Sequence, residues 1–363
     1  MQGSDTSSTA VPPPPRPVLP AGPRQRPRSL QFSLFLAAMV WYLCARVVSD
    51  SASNGLAQRF DLGDEQPFMA ALFLLFLVVC GYSILRVIEQ RRAPLRLALG
   101  LPRRATSRAE WATGAAFGWG LALASVLAMA LARSLNVHLW TAPRAFWLFG
   151  LGLVTLVVAT LAHTLAVFGY AFQRLIEATG QARASLIVVS LAAVQAGLIP
   201  TPYGTPDGTR ILVEMLCTML LCLCWLRTHG VWLGWGLYFG WAASTGLLFG
   251  LPLRGDVSFS SVVDTRTSGP LWLTGGAFGP AAAAFSVVLL AAAIPLLVRA
   301  TTDYAWNYTH PPIIPAGYDV TIPPPAAHIA MEQAAEAQSV NPASLVQILP
   351  ATPQNPTASR LPE

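Results

Sequence analysis

The strongest constraint on this chain is a series of about eight apolar runs, most of them close to the length of a membrane span. A bilayer core about 30 Å thick requires roughly 20 apolar residues of helix to cross it. Within lipid, a helix satisfies its own backbone hydrogen bonds, and an open extended chain does not. The sequence therefore predicts an all-α fold, a polytopic membrane bundle of about eight transmembrane helices. The runs are residues 29–48, 67–87, 112–135, 145–172, 184–199, 211–226, 231–249 and 279–298.

The composition fits a membrane protein and disfavours a nucleic-acid-binding one. The chain is 54% hydrophobic and only 11% charged, whereas soluble domains contain roughly 25% charged residues. The net charge of +6 would favour nucleic acid in a soluble protein, but here the arginines lie mostly between the apolar runs. We therefore expect membrane lipids and no nucleic acid among the partners. The many Gly and Ala residues in several runs predict close packing between helices.

The distribution of charge between the runs predicts the orientation of the chain. Arginines precede the first run and follow the second, whereas the loop between these two runs, residues 50–66, is acidic. Basic loops tend to stay on the cytoplasmic side of a membrane. With an even number of spans, we predict a multi-pass protein of the cell membrane, in particular of a bacterial inner membrane, whose N- and C-termini are both cytoplasmic.

The two ends of the chain differ in composition from the apolar region between them. Residues 1–28 and 301–363 are rich in Pro, the second stretch also in Ala, and have little apolar surface to bury. Segments of this kind do not gain enough from burial to fold. The sequence predicts a disordered cytoplasmic arm at 1–28, a transmembrane domain at 29–300 and a disordered cytoplasmic tail at 301–363.

Two connecting segments have unusual sequences. Residues 95–101 alternate leucine with Arg96 and small residues, so they are either an interfacial segment that touches anionic headgroups or a plain connecting loop. After the fifth run, Pro200, Pro202 and Pro206 predict an irregular loop.

Ionisable residues within the membrane are costly, which makes them functional hypotheses by default. His163 lies inside the fourth run, Glu214 lies early in the sixth, and Arg174 lies at the cytoplasmic end of the fourth. Together with Tyr238 they are the candidate polar residues of a cleft. A hydrogen-bonded structural role for His163, and contact of Glu214 with water near a membrane surface, are the alternatives.

The chain lacks the pattern of a metal site. Hydrolysis by zinc-bound water normally needs three protein ligands and a general base, which His163 and Glu214 alone cannot supply. The five cysteines fall within apolar runs at spacings that suit no zinc site. We therefore predict no metal and no cofactor. The remaining histidines are dispersed along the chain; they are His138, His229, His310 and His328.

Three segments on separate runs, in matching order, carry a family resemblance. They are residues 168–174, FGYAFQR; residues 190–198, SLAAVQAGL; and residues 225–244, WLRTHGVWLGWGLYFGWAAS. With the glycine-rich stretch 273–280, LTGGAFGP, they make the region of about 111–300 resemble the CPBP family. That family includes CAAX-prenyl endoproteases, bacteriocin-processing proteins and ABI-like intramembrane metalloproteases, and this chain looks like a divergent member.

The resemblance implies a scaffold without its catalytic centre. In active family members, paired glutamates activate water, and histidines of the second and third motifs hold the metal or position that water. The apolar residues at these positions here have no donor, acceptor or proton to offer, and Tyr238 is a poor replacement for a neutral imidazole. The family's catalytic positions are occupied by Phe168, Gly169, Gln173, Leu198, Tyr238 and Ala242.

The sequence leaves three functions open. The favoured one is a non-catalytic scaffold or binder of a hydrophobic or lipidated peptide, to which Tyr238 and Gln173 hydrogen-bond. One alternative is an active CAAX-type intramembrane metalloprotease that uses zinc and other residues. Another is a transporter or channel component, although no convincing internal repeat supports it. The predicted lining of the cleft is Phe168, Phe172, Leu198, Tyr238 and Trp241.

Overall fold

A computed structural model describes most of the apolar region of the chain. The described residues are 27–89, 94–139, 142–198, 208–253, 262–268, 270–309, 330–331 and 333–335. The chain divides into two units, Met1–Tyr308 and Thr309–Glu363. Most of the predicted arm at 1–28, most of the predicted tail and the proline-containing loop after the fifth run lie outside the described residues.

The larger unit is an all-α bundle, as the apolar runs predict, and six of the helices formed by its described residues are long and apolar enough to cross a membrane. The fourth of these spans, Pro143–Thr179, is made of three consecutive helical segments. The helices are α1 Arg28–Phe60, α2 Gln66–Ile88, α3 Leu95–Ala98, α4 Ser107–Leu131, α5 Pro143–Thr164, α6 Phe172–Thr179, α7 Gln181–Leu198, α8 Gly208–Thr228, α9 Trp232–Ala243, α10 Leu271–Thr274, α11 Ala284–Ala300 and α12 Thr302–Thr309.

The number of long spans is six rather than the predicted eight or so, because the last two runs form shorter helices. The seventh run forms α9, which has 12 residues, and a π-helical turn of 5 residues, Ser244–Leu248. The eighth forms α11, which has 17 residues because a 3₁₀ segment, Gly276–Ala282, precedes it. Gly279 inside that segment has φ +54°, which a helix does not accommodate. At 1.5 Å per residue, 17 residues span about 25 Å.

Helix α1 is longer than its apolar run. It contains 33 residues, about 50 Å of helix, so its last three turns extend beyond the predicted span. Ser49, Ser53 and Ala57 are buried along one side of this extension. The Gln66 amide donates a hydrogen bond of 3.1 Å to the hydroxyl of Ser53, which ties the extension to the start of α2. Much of the predicted outer loop at 50–66 is therefore helical.

A small two-stranded ribbon is the exception to the helical architecture. Strand β1, Leu135–Leu139, pairs antiparallel with β2, Val263–Thr267. Val137 lies opposite Thr265 in the register. The ribbon joins the end of α4 to the chain before α10, on the side of the bundle where α5 begins.

Helices α4 and α9 pack closely against each other because glycines face their contact. A Cβ atom at Gly114 or Gly118 would overlap the backbone of α9, and one at Gly236 or Gly240 would overlap the backbone of α4. On each helix the two glycines are four residues apart, so they lie on one face. The prediction of close packing between Gly- and Ala-rich spans is confirmed here.

One hydrophobic core connects most of the helices and surrounds a π-helical segment, Leu165–Ala171, between α5 and α6. This segment holds the first four residues of the first motif, 168–171, so the candidate site borders this core. Buried core residues from the different elements include Phe35, Tyr82, Phe168, Phe172, Leu220, Leu233 and Leu290.

The ordered chain continues past the predicted end of the transmembrane domain. Helix α12 follows α11 after Thr301, inside the segment predicted as a disordered tail. The guanidinium group of Arg227 donates to the carbonyl of Val298 at 3.0 Å and to the hydroxyl of Thr301 at 3.2 Å. These bonds tie the junction between α11 and α12 to the end of α8. In the second unit, residues 330–331 and 333–335 are helical.

Candidate functional site

The first motif lies on a distorted helix. Between α5 and α6 the chain forms seven π-helical residues, and Gly169 has a ψ of −106°, outside the helical range. The Tyr82 hydroxyl donates a hydrogen bond of 2.6 Å to the carbonyl of Ala166, a group within the distorted turn. Single π turns within helices are frequent at functional sites. The distortion therefore marks the place where the family resemblance puts catalytic carboxylates.

The two positions that the resemblance assigns to glutamates are closed by packing. Phe168 is only 2% exposed, and its ring meets that of Phe172 edge to face at 5.9 Å. A Cβ at Gly169 would lie 2.7 Å from the carbonyl oxygen of Leu99, closer than real contacts allow. A side chain at position 169 therefore requires the backbone around Leu99 to move.

The two polar residues that follow have different surroundings. Gln173 is half-buried, and its amide donates to the carbonyl of Leu97 at 3.4 Å, which is long for a hydrogen bond. Arg174 is 1% exposed and belongs to a buried polar network. The resemblance places the family's arginine at Gln173, but it is Arg174 that carries the buried charge.

The network around Arg174 joins three helical segments. Its guanidinium contacts a carboxylate oxygen of Glu89 at 2.7 Å, one of Glu177 at 2.9 Å and the amide oxygen of Gln31 at 3.2 Å. The Tyr170 hydroxyl donates to Glu89 at 3.2 Å, and the guanidinium lies 5.1 Å from the centre of the Tyr170 ring. Arg174 and Glu89 are almost completely buried, whereas Glu177 is 38% exposed. A buried pair with further hydrogen bonds fixes how α1, α2 and α6 meet.

Sequence reasoning did not single out three members of this network, Gln31, Glu89 and Tyr170. Gln31 lies at the start of the first apolar run, Glu89 lies two residues after the end of the second, and Tyr170 lies within the first motif. For Gln31 and Glu89, the available signal was a polar residue at one end of an apolar run. The predicted orientation puts these ends on the same side of the membrane as Arg174. Since such positions usually reach water, the sequence offered no reason to pair them.

Two of the predicted cleft residues do come together. Tyr238 on α9 lies with its ring centre 5.2 Å from that of His163 on α5. On the other side, the hydroxyl of Tyr42 on α1 shares a hydrogen bond of 3.2 Å with His163 Nδ1. His163 is therefore held between two tyrosines inside the bundle. This arrangement supports the hydrogen-bonded structural histidine that the sequence left open.

The other predicted residues lie apart from this pair. Leu198, one of the predicted cleft residues, is 74% exposed. It follows the buried Ala196 by two residues, a rotation of about 200° that places it on the opposite side of α7. Ala242 is buried in a separate cluster with Leu156. Glu214 is half-buried on α8. It lies about two turns, roughly 10 Å of helix, before Leu221, which lines the crevice described next.

A narrow apolar crevice lies beside the first motif, between the end of α5, α8 and the start of α9. It comprises about 160 Å³ of space between atoms, part of it open to the surface, and it is too narrow to admit a water molecule. Of the five residues predicted to line a cleft, Phe168 alone contributes to it. We call this space the apolar crevice; its lining residues are Thr164, Phe168, Leu221, Trp225, Gly230, Val231 and Gly234.

Trp225 is the unusual residue of this lining. Its side chain is 8% exposed, and within the described part of the chain the indole Nε1 is buried without a hydrogen-bond partner. Its ring meets those of Phe172 and His229 edge to face, at 5.3 and 5.6 Å. Leaving a buried donor unpaired costs about 1–3 kcal/mol. One residue of the lining therefore carries a buried hydrogen-bond donor that has no partner among the described residues.

The segment after α3 closes the apolar crevice at the end where α8 meets α9. Gly100 has φ +73°, and its carbonyl accepts a hydrogen bond of 2.9 Å from the backbone of Val231. The Trp232 indole donates to the carbonyl of Pro102 at 2.9 Å. Leu99 is 5% exposed, so this part of the predicted interfacial segment packs into the core instead of lying on a membrane surface.

His229 lies just outside the membrane-spanning part of α8, in the turn before α9, with φ +47°. Burial, and to a lesser extent the positive charge of Arg104, lowers the pKa of His229 below its ordinary value. The guanidinium group of Arg104 donates to the carbonyl of the adjacent Thr228. The turn is therefore built for a neutral imidazole.

We expect acidification to destabilise this turn. An unfolded histidine titrates near pH 6.5, and since the folded pKa is lower, the unfolded chain binds more protons as the pH falls below about 6.5. The thermal midpoint of the purified protein should therefore fall between pH 7.5 and 5.5. His229→Asn, which tolerates the positive φ, should reduce this fall. His138→Asn, an exposed position on β1, is the control, and equal falls in both variants would contradict the prediction.

The residues at the positions implied for metal ligands do not fit a zinc site. Phe168, Gly169 and Leu198 offer no ligand atom, and Tyr238 lies beside His163 rather than near a carboxylate pair. Across the described residues, no group of three or more His, Cys, Asp and Glu side chains is placed to hold a metal ion.

No protein-family model, curated protein or solved structure matches this chain. The resemblance to the CPBP family therefore stays a prediction from the three motifs.

Proposed function

We propose that this multi-pass membrane protein is a non-catalytic scaffold that binds a hydrophobic or lipidated peptide beside the first motif, where the elements around the apolar crevice move apart to admit it. One observation carries the proposal. The crevice borders the first motif, and an apolar ring, Phe168, occupies the position of the family's first glutamate. A chain that fills this position with packed aromatic side chains offers a surface for apolar contact and no group to activate water.

Two glycines, Gly230 and Gly234, line part of the crevice. A Cβ at Gly234 would meet Cys224 and Leu221 at 3.6 Å, an ordinary contact distance. Gly234→Ala is therefore compatible with the fold, yet it adds a methyl group to a crevice of about 160 Å³. A larger side chain, as in Gly234→Val, fills the space further.

The location and orientation of the protein belong to the same proposal. On the basis of the charge distribution, we propose a bacterial inner-membrane protein whose N- and C-termini are both cytoplasmic.

The test combines binding with chemistry. A fluorescent lipidated peptide is titrated against the full chain in nanodiscs, while zinc content and cleavage of a prenylated CaaX peptide are measured on the same preparation. We expect saturable binding without cleavage. We also expect Gly234→Val to weaken binding several-fold, and Gly150→Ala, in open space on α5, to leave it unchanged.

Two results would point elsewhere. Cleavage with stoichiometric zinc, abolished by a chelator, would favour an active metalloprotease that uses other residues. Solute flux into proteoliposomes without peptide binding would favour a transporter. Either result would overturn the non-catalytic proposal.

A further inference from the structure

Three exposed arginines surround the start of α4, and we call them the basic surface. They are Arg96 on α3, Arg103 in the segment between α3 and α4, and Arg108 in the first turn of α4. None of them forms an ion pair with another described residue. The one acidic side chain of residues 94–111, Glu110, is buried and lies 3.9 Å from the guanidinium group of Arg104. Within the described part of the chain, no carboxylate therefore neutralises the basic surface.

The backbone that presents Arg103 is held on both sides. The carbonyl of Pro102, the preceding residue, accepts a hydrogen bond of 2.9 Å from the Trp232 indole. The guanidinium group of Arg104, the following residue, donates to the carbonyl of Thr228 at 2.5 Å. Both bonds reach the turn between α8 and α9. A partner that binds here meets a segment that is already ordered, which reduces the entropy lost on binding.

A cluster of three tryptophans lies next to the basic surface. Trp111 follows Arg108 by three residues, so the two lie on neighbouring turns of one face of α4. The ring centre of Trp235 lies 5.7 Å from that of Trp111 and 5.8 Å from that of Trp232. All three side chains are half-buried, so part of each remains exposed. Tryptophan is enriched where the hydrocarbon of a membrane meets the headgroups.

The length of α4 places the two layers in a bilayer. Residues 112–131, which follow Trp111 to the end of α4, contain no charged side chain. They form about 30 Å of helix, the thickness of the hydrocarbon core. Trp111 therefore lies at the boundary of the hydrocarbon. Arg108 lies about 5 Å farther along the helix axis, within a headgroup layer that is about 5–7 Å thick on each side of the membrane.

We infer that the basic surface binds the phosphate of an anionic phospholipid whose acyl chains lie along the tryptophan cluster. Guanidinium groups match phosphate oxygens in geometry and form charge-assisted hydrogen bonds with them. Three cations without a carboxylate partner favour a headgroup of net negative charge over a zwitterionic one. Inorganic phosphate brings the same oxygens but no acyl chain to contact the tryptophans. Since both leaflets contain headgroups, the surface has this partner in either orientation of the chain.

Native mass spectrometry of the full chain in detergent, titrated with one phospholipid at a time, measures the affinity for each headgroup. We expect phosphatidylglycerol to bind about tenfold more tightly than phosphatidylcholine with the same acyl chains. One arginine near an anionic surface contributes about fivefold, or about 1 kcal/mol. The double variant Arg103→Gln with Arg108→Gln should therefore reduce the preference to about twofold or less. Inorganic phosphate at the concentration of the lipid should not displace phosphatidylglycerol.

The double variant Arg59→Gln with Arg133→Gln is the matched control. Both arginines are exposed; Arg59 lies in the last turn of α1, and Arg133 lies just after α4, at the opposite end of that helix from Arg108. The control removes the same charge and should keep the tenfold preference. Equal losses in the two double variants would show that lipid binding follows total charge, and this would overturn the inference.

Two other results would also overturn it. Equal affinities of the wild type for the two phospholipids would favour an acidic protein as the partner of the basic surface. Displacement of phosphatidylglycerol by an equal concentration of inorganic phosphate would favour a soluble anion. Neither result bears on the binding of a lipidated peptide beside the first motif, which is measured separately.

Discussion

Gly118→Ala should lower the free energy of unfolding by about 3 kcal/mol, the upper end of the range for overpacked interiors. A Cβ at Gly118 would overlap the carbonyl oxygen of Leu237 and approach the amide of Trp241 at 2.7 Å. Both are backbone atoms of α9, which cannot rotate away as a side chain does. The only relief is to move α4 and α9 apart, and this breaks the matching contacts at Gly114, Gly236 and Gly240.

The same change two residues away on α4 should have the opposite sign. Gly120 is exposed, and a Cβ built there meets nothing within 4 Å. Since alanine is favoured over glycine inside a helix by about 1 kcal/mol, Gly120→Ala should leave the protein as stable as wild type or more stable. The two variants therefore make one chemical change in one helix, and their difference isolates the contact between the helices.

Thermal unfolding in detergent, followed by the loss of the monodisperse peak in size-exclusion chromatography, ranks the two variants. Reversible unfolding in mixed micelles then gives the free energies. Similar stability of Gly118→Ala and Gly120→Ala would mean that the helices are farther apart than the structure has them. Gly236→Ala, on the partner helix, should repeat the result for Gly118→Ala, since a Cβ there overlaps the carbonyl of Trp111.

The lengths of the apolar runs predict most of the long helices well, because the thickness of a bilayer sets the length of a membrane-spanning helix. The prediction fails where local backbone geometry determines the position at which a helix begins or ends. The runs locate α2, α4 and α8 to within a few residues. The last run is shortened because Gly279 and Pro280 form a 3₁₀ turn before α11, which hydropathy does not register. Glycine content predicts close packing, but not that Gly114 and Gly118 face Gly236 and Gly240.

The candidate site was predictable only in part, because it depends on contacts between distant segments. His163 was a candidate as an ionisable residue inside an apolar run and Tyr238 as the residue at a family histidine position, but nothing in the sequence predicted their contact. The second motif gives Leu198, which the helical phase of α7 turns outward. Neither the π-helical distortion at Gly169 nor the closure by Leu99 leaves a pattern in sequence. The unpaired indole of Trp225 appears only once its surroundings are known.

Glu89→Ala should destabilise the protein by about 3 kcal/mol, the lower end of the cost of removing one member of a buried ion pair, because the partly exposed Glu177 remains next to Arg174. The guanidinium group of Arg174 is 1% exposed and lies 2.7 Å from the Glu89 carboxylate, which is itself fully buried. The hydroxyl of Tyr170 also donates to Glu89, so the substitution removes two contacts at once. Gln31 is a neutral partner and cannot replace the lost charge.

Glu177→Ala is the matched control, because it removes a second carboxylate from the same guanidinium group. Glu177 is 38% exposed, and exposed ion pairs contribute about 0–1 kcal/mol. Unfolding in mixed micelles should therefore separate the two variants by about 2–3 kcal/mol, although both lose one negative charge next to Arg174. Equal losses would show that the guanidinium reaches water and that the network is a surface cluster.

The double variant Glu89→Leu with Arg174→Met distinguishes a role in stability from a role in alignment. Replacing a buried pair by apolar residues of similar volume is often neutral or stabilising, so the double variant should be more stable than Glu89→Ala. The ionic partners of Arg174 come from α2 and α6, and Gln31 comes from α1. If the network only aligns these helices, the double variant should keep its stability while binding of lipidated peptides weakens. Retention of both would leave the buried pair without any role in guest binding.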